Sequence, residues 1–284
     1  MIESKITANA ESEKKAVVCG VIGAPVGHSL SPLIHKHFAQ QCNISLIYQK
    51  IHGIEERVKK QIYKFFDKGG VGLNVTLPFK SIAFNLSVHH TAHALSSGVA
   101  NTLWRNIEGE LCADNTDGLG LLSALDKRIE LMGKRVLVLG AGGAAQGVIP
   151  SLLDASLASL TVANRSGARL KALSKRFSNV DYFFFNELKP DYDVIINATS
   201  SSLNQLRPNI PFNILTGSFC MDMFYDLAQD TTFVHLCKEY EALGCMDGID
   251  MLVGQAAESF QRWHVKSVDS QLTLDYLTRM DSDF

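Results

Sequence analysis

Short apolar runs alternate with amphipathic stretches along most of the chain. Ala16 to Gly23 is an apolar run that ends in glycine, which predicts a buried strand. Ser31-Pro32 then predicts a helix start, with Ser31 as N-cap and Pro32 at the first helical position. Leu33, Ile34, His37 and Phe38 form its apolar face. Leu46 to Ile51 reads as a second strand, Ile54 to Phe66 as a helix closed by Gly69-Gly70, and Val71 to Thr76 as a third strand. This β-α-β-α-β alternation predicts a mainly parallel sheet. It resumes at Gly133: strand Arg135–Leu139, helix Gly142–Asp154, strand Leu160–Ala163, helix Arg169–Phe177, strands Asp193–Ala198 and Phe219–Met223. Asp117 to Leu131 reads as a long amphipathic helix between the two sets. A last apolar helix, Met251 to Trp263, is expected to return to the first domain.

Two rounds of alternation in 284 residues suggest two α/β domains. The expected division places residues 16–120 plus 251–284 in a substrate domain and 121–250 in a Rossmann domain. Met1 to Lys15, polar and of mixed charge, reads as a flexible tail without the apolar segment of a secretory signal. With 27 basic and 29 acidic residues the chain has no global basic field to attract nucleic acid or an anionic membrane. No apolar run approaches the roughly 18 residues of a membrane span. Six cysteines without a C-x-x-C pair read as buried small hydrophobes in a reducing compartment. The expectation is a cytoplasmic enzyme with a small-molecule substrate, as monomer or homodimer. No metal is expected: His35 and His37 point to different helix faces, and His89, His90 and His93 lack partners at ligand spacing.

Residues 140–147, Gly-Ala-Gly-Gly-Ala-Ala-Gln-Gly, follow a strand and open a helix, the context that gives a G-x-G-x-x-[GA] match its meaning. Gly140 permits the tight turn, Gly142 admits a pyrophosphate, and Ala145 allows close packing of helix on strand. The helix N-terminus adds free N–H groups and partial positive charge. A fold that binds NAD usually places an acid about 20 residues on. Here Ala163 is followed by Asn164-Arg165-Ser166, with Arg169 one turn later. Two guanidinium groups suit a 2′-phosphate, so the expected cofactor is NADP.

Four polar clusters interrupt the first half: Gly27 to Pro32, Asn74 to Lys80, Ala100 to Thr102, and Asp114 to Gly118. Their hydroxyls, amides, one cation and carboxylates suit a small polyhydroxylated acid. In order along the chain, G-A-P-V-G-H-S-L-S-P, N-V-T-L-P-F-K, A-N-T, D-N-T-D-G, G-A-G-G-A, N-A-T-S-S, D-M-F-Y and M-L-V-G-Q-A closely resemble the shikimate dehydrogenase family. The resemblance runs from about Val17 to the last helix. It implies reversible, NADP-dependent reduction of 3-dehydroshikimate to shikimate in chorismate biosynthesis. It further implies that Ser29 and Ser31 bind the substrate carboxylate, and that Thr76, Asn101, Asp117 and Gln255 hold the ring hydroxyls, with Tyr225 also at the substrate. Gly140, Ala141, Gly142, Gly143 and Ala144, with Asn164, Arg165, Ser166 and Arg169, would bind NADP; Met223 and Gly248 would flank the nicotinamide. Lys80 and Asp117 match the family's catalytic pair.

Three departures accompany it. Ser202 stands where the family often has glycine, and Asp250 replaces the second glycine before the last helix. Ala92, followed by His93, replaces a common acid. Asp250 would either weaken a phosphate-bearing cofactor or face water. His28 either orients the serine pair or packs structurally. The alternatives to the main reading are a quinate/shikimate dehydrogenase of broader substrate or NAD use, and a non-catalytic shikimate-binding regulator.

Overall fold

The computed structural model describes residues 16–281, so the expected tail at 1–15 lies outside the described residues. Each half is built on one six-stranded sheet. The first half runs β1 (Val17–Gly23), α1 (Ser31–Gln41), β2 (Leu46–His52), α2 (Val58–Asp67), β3 (Gly70–Val75), α3 (Lys80–Leu86), β4 (His89–His90), α4 (Ala92–Ser97), β5 (Thr102–Arg105) and β6 (Leu111–Asp114). After α5 (Asp117–Leu125) the second half runs β7 (Arg135–Leu139), α6 (Gly143–Leu153), β8 (Ser159–Asn164), α7 (Gly167–Ser174), β9 (Asp181–Phe184), β10 (Val194–Asn197), β11 (Phe219–Asp222), α8 (Thr232–Glu239) and β12 (Gly244–Met246). Helices α9 (Ile249–His264) and α10 (Ser270–Asp281) close the chain.

The second sheet has the order β12-β11-β10-β7-β8-β9 and is parallel at every pairing. That is the doubly wound arrangement, whose topological switch lies between β7 and β10. The first sheet, β2-β1-β3-β5-β6-β4, is mainly parallel as expected, with the single strand β5 reversed. β1, β2 and β3 are parallel, but β5 runs antiparallel to both β3 and β6. The antiparallel insert has a consequence for chemistry. It brings the start of β5 and the end of β6 to the same sheet edge as the end of β3, with Asn74 opposite Thr102 and Thr102 opposite Asp114. Three of the four polar clusters therefore meet at one edge.

Two expectations are corrected. Ser31 is the first helical residue of α1, not its cap; Leu30 caps it, and the Ser31 hydroxyl is engaged by Ser29. The helix from Asp117 ends at Leu125 rather than Leu131, because the chain turns through Asp126–Arg128 and Leu131 folds back into the Rossmann core. His35 and His37 do diverge: His35 is fully buried between Tyr48 and Trp263, while His37 stacks on Tyr276 of α10.

Helix α9 joins the two halves. Its apolar residues Val253, Ala256 and Phe260 share a cluster with Ile34 and Phe38 of α1 and Leu274 and Leu277 of α10. On its other side it crosses α5 almost backbone to backbone, since a Cβ on Gly120 would lie 2.7 Å from the Gln255 nitrogen. The missing side chain at Gly120 is what lets Gln255 and Ser259 approach the polar edge of the first sheet.

Candidate active site

Both sheets turn their switch points toward one cleft, a cavity of about 670 Å³. Loops leaving parallel strands at such a point carry unpaired backbone groups and polar side chains, which is where open α/β sheets hold ligands.

On the first side, Lys80 begins α3 and Asp117 begins α5. Lys80 Nζ donates to Asp117 Oδ2 at 2.6 Å, with the two side chains 13% and 7% exposed. A carboxylate at a helix N-terminus is favoured by the helix dipole, whereas an ammonium there is not. Asp117 supplies the compensating charge for Lys80. Asp117 Oδ1 accepts from Asn101 Nδ2 at 2.8 Å, and its backbone nitrogen donates to Asn115 Oδ1 at 3.0 Å. Asn101 Nδ2 also donates to Gln255 Oε1 at 3.2 Å, so residues from three separate segments converge. Thr76 and Asn74 line the same wall.

At its far end Ser29 Oγ donates to Ser31 Oγ at 3.1 Å and accepts from the Ser31 backbone nitrogen at 3.3 Å. Tyr225, carried over from the second half, accepts from the Leu30 nitrogen at 3.3 Å. Burial pushes its phenol pKa up, which keeps it a neutral hydrogen-bonding group. His28 is exposed and forms no hydrogen bond with the serine pair; its ring lies 6.1 Å from that of Phe224. Burial and the nearby Lys50 lower its pKa. Of the two roles expected for His28, orienting the serines is the one this geometry lacks.

On the second side Gly140 has φ +107°, a conformation other residues avoid, and a Cβ there would lie 3.0 Å from the Ala198 carbonyl oxygen. Gly142 caps α6 and nothing lies within 4 Å of where its Cβ would be, so its backbone faces open cleft. Ala145 is fully buried, the close helix–strand packing expected of it. Ala141, Gly143 and Ala144 complete the turn along the cleft. Asn164 ends β8 and donates to the Ser166 carbonyl at 3.1 Å, shaping the turn that presents Arg165 and Arg169. Both arginines are exposed, line the cleft and make no ion pair among the described residues. Open glycine backbone, a free helix N-terminus and unpaired guanidinium groups fit a dinucleotide with an extra phosphate.

Met223 and Gly248 close the wall between the halves. The Met223 nitrogen donates to the Asn197 carbonyl at 3.0 Å, and the Gly248 nitrogen to the Phe224 carbonyl at 2.9 Å. Asp250 turns away from the cleft onto Lys127 at 3.3 Å. Asp250 is not among the residues that line the cleft.

The profile described as shikimate dehydrogenase substrate binding domain matches residues 21–103, and the one described as shikimate / quinate 5-dehydrogenase matches residues 123–229. Shikimate dehydrogenase (NADP(+)) of Legionella pneumophila is 44% identical over 260 residues, spanning 90% of this chain and 97% of that protein. The chain belongs to the shikimate dehydrogenase family. Solved structures of similar shape include an Ael1 enzyme from Pseudomonas putida, with TM-score 0.83, 35% identity and coverage of 93% of this chain and 98% of that one. Shikimate 5-dehydrogenase of Thermus thermophilus, solved in complex with NADP(H) and shikimate, has TM-score 0.82, 27% identity and coverage of 93% and 99%. Membership in the shikimate dehydrogenase family accounts for the order of the motifs along the chain. Among the described residues no helix is long and apolar enough to cross a membrane.

The fold gathers four further polar residues, Thr102, Thr116, Ser259 and Asp222, behind Asn101 and on the cofactor wall. Thr102 and Thr116 sit inside recognised motifs, which was the available signal. Ser259 is an ordinary helical serine with none. Asp222 opens D-M-F-Y yet is fully buried and accepts from Asn197, Ser202 and Thr231.

Proposed function

We propose that this chain catalyses the reversible, NADP-dependent reduction of 3-dehydroshikimate to shikimate, with Lys80 as proton donor and Asp117 as its partner. The observation that carries the reading is the 2.6 Å Lys80–Asp117 pair placed beside the glycine turn, where a Cβ on Gly143 would lie 3.7 Å from Lys80 Cβ. Bound nicotinamide supplies a hydride to the carbonyl carbon. As negative charge grows on the carbonyl oxygen, the Lys80 ammonium stabilises it and delivers the proton that completes the alcohol. In the oxidative direction Lys80 takes that proton back. Asp117 orients Lys80 through one oxygen while Asn101 holds the other.

The remaining roles follow the cleft. Ser29, Ser31 and the Tyr225 hydroxyl receive the substrate carboxylate. Thr76, Asn101, Asp117 and Gln255 meet the ring hydroxyls. Gly140–Ala144 hold the pyrophosphate, Asn164, Arg165, Ser166 and Arg169 hold the 2′-phosphate end, and Met223 and Gly248 flank the nicotinamide. Residues 16–120 with 251–284 form the substrate domain and 121–250 the NADP domain, and closure of one on the other excludes water from the hydride path. The protein acts in the cytoplasm as monomer or homodimer.

The test follows NADPH loss with 3-dehydroshikimate, then NADP reduction with shikimate and with quinate, each repeated with NAD(H). Turnover with NADP(H) and the shikimate pair is expected. Equal efficiency with NAD would remove the arginine argument, equal efficiency with quinate would broaden the substrate, and no turnover with any pair would sink the enzyme reading.

A further inference from the structure

Behind the Lys80–Asp117 pair lies a buried chain of hydrogen bonds whose direction can be assigned from fixed donors. The Thr116 backbone N–H donates to Asn101 Oδ1 at 2.9 Å, which settles the Asn101 amide: oxygen toward Thr116, nitrogen toward Asp117. Asn74 is settled likewise, because its Nδ2 lies 3.1 Å from the Asn101 carbonyl oxygen, an acceptor only. The Tyr48 hydroxyl therefore donates to Asn74 Oδ1, at 2.7 Å.

Asn74 Nδ2 also reaches Ser259 Oγ at 3.0 Å and Thr102 Oγ1 at 3.3 Å. One Nδ2 proton goes to the Asn101 carbonyl, so the second is left for the two hydroxyls, of which Ser259 is the nearer. Thr102 Oγ1 donates to Asn101 Oδ1 at 2.8 Å, and Ser259 Oγ donates to Thr102 at 2.7 Å or to the Gln255 carbonyl at 3.0 Å. The contacts run from Tyr48 through Asn74, Ser259, Thr102 and Asn101 to Asp117, with Tyr48, Asn74, Thr102 and Asn101 each donating toward Asp117. Thr102 and Ser259 are fully buried, and Asn74 and Asn101 nearly so. In a low-dielectric interior each aligned bond polarises the next, and a member left without its partner is costly.

We infer that Thr102 and Ser259 are positioning residues for the reaction: through Asn101 they hold the Asp117 carboxylate, and with it the Lys80 ammonium, in the geometry for proton transfer. Neither touches the Asp117 carboxylate or Lys80; each acts through Asn101. The inference rests on the function proposed above. It assigns a task to Ser259, which reaches the polar edge only because α9 crosses α5 at Gly120.

The test compares wild-type enzyme with Thr102→Val, which keeps the shape and removes the hydroxyl, Thr102→Ser, which restores it, and Ser259→Ala. Steady-state kcat and KM for shikimate and NADP are measured alongside thermal unfolding. Thr102→Val is expected to lower kcat about tenfold, the equivalent of one lost hydrogen bond, with both KM values within about twofold of wild type. Thr102→Ser should recover kcat to within about twofold, and Ser259→Ala should lower it about threefold. A Thr102→Val enzyme with wild-type kcat, a change confined to KM, or a Thr102→Ser enzyme as slow as the valine variant would overturn the inference. If Thr102→Val fails to fold, Ser259→Ala carries the test; failure of both to fold makes the chain a stability device and overturns it too. Absence of turnover in the wild type would instead refute the proposed reaction, which keeps the two failures distinct.

Discussion

The two walls of the cleft are built on opposite plans. On the first wall polar side chains bind one another: Lys80 to Asp117, Asp117 to Asn101, Asn101 to Gln255 and Thr102. On the second wall the chemistry lies open. Gly142 borders empty space, and Arg165 and Arg169 project without an ionic partner among the described residues. A wall whose groups are held in place is suited to stabilising charge that develops during reaction, since no reorganisation is then required. A wall of unpaired donors is suited to binding a ligand that already carries its charge. Changes on the first wall should therefore register in kcat, and changes on the second in KM or in stability.

The largest effect is expected from Lys80→Ala. General acid–base groups contribute roughly 10²- to 10⁴-fold, so kcat should fall about a thousandfold with the substrate KM little changed. A steady-state titration that showed a mainly KM effect would move Lys80 to the binding side and erase the contrast.

The next effect lies under the second wall. Asp222 ends β11 fully buried, and burial pushes its pKa up to about 6, against bonds from Ser202, Thr231, the Phe224 nitrogen and Asn197 that pull it down. A carboxyl whose folded pKa lies above its unfolded value binds its proton more tightly when folded. Its contribution to stability is thus full below pH 3.8 and is lost as pH rises through about 6. The difference corresponds to about 3 kcal/mol. Thermal unfolding of Asp222→Asn, followed between pH 3.5 and pH 7 (roughly the span of the two pKa values), should show that part of the pH dependence flattened relative to wild type. An unchanged profile would mean that the Asp222 carboxyl does not titrate there.

Arg165→Ala comes third. Loss of a charge-assisted bond to phosphate, worth about 2 kcal/mol, should raise the KM for NADP about thirtyfold and leave the KM for NAD within about twofold. An equal rise for both cofactors would place Arg165 outside the 2′-phosphate site. The smallest effect belongs to Asp250→Asn. Its partner Lys127 is 38% exposed, and such pairs contribute under about 1 kcal/mol. The KM for NADP should stay within about twofold, and a larger shift would show that the carboxylate does reach the cofactor.

Much of this layout was legible along the chain. The four central strands of the Rossmann half, β7, β8, β10 and β11, lie within a residue or two of their expected ends, because a buried parallel strand reads as a continuous apolar run, whereas the edge strands β9 and β12 hold no buried residue and carry no such signal. The glycine turn was legible because its requirements are local: a positive φ at Gly140 and a small residue at 145. The antiparallel β5 and β6 were missed. Their runs are short and hold polar Thr102 and Asp114, which face the buried network and not water. Helix α5 is shorter than its pattern suggests because Ile129 and Leu131 continue the apolar spacing after the helix has ended.

The sequence by itself determined the two α/β halves, the nucleotide-binding turn, the arginine pair and the family to which the chain belongs. These depend on local backbone demands and on motifs that are contiguous. Only the tertiary structure decided which polar groups meet. It joined Lys80 to Asp117 across 37 residues, set Ser259 beside Thr102 across 157, and turned Asp250 onto Lys127 across 123. Those pairings depend on where α9 crosses α5 and on the antiparallel turn of β5, and spacing along the chain carries no record of either.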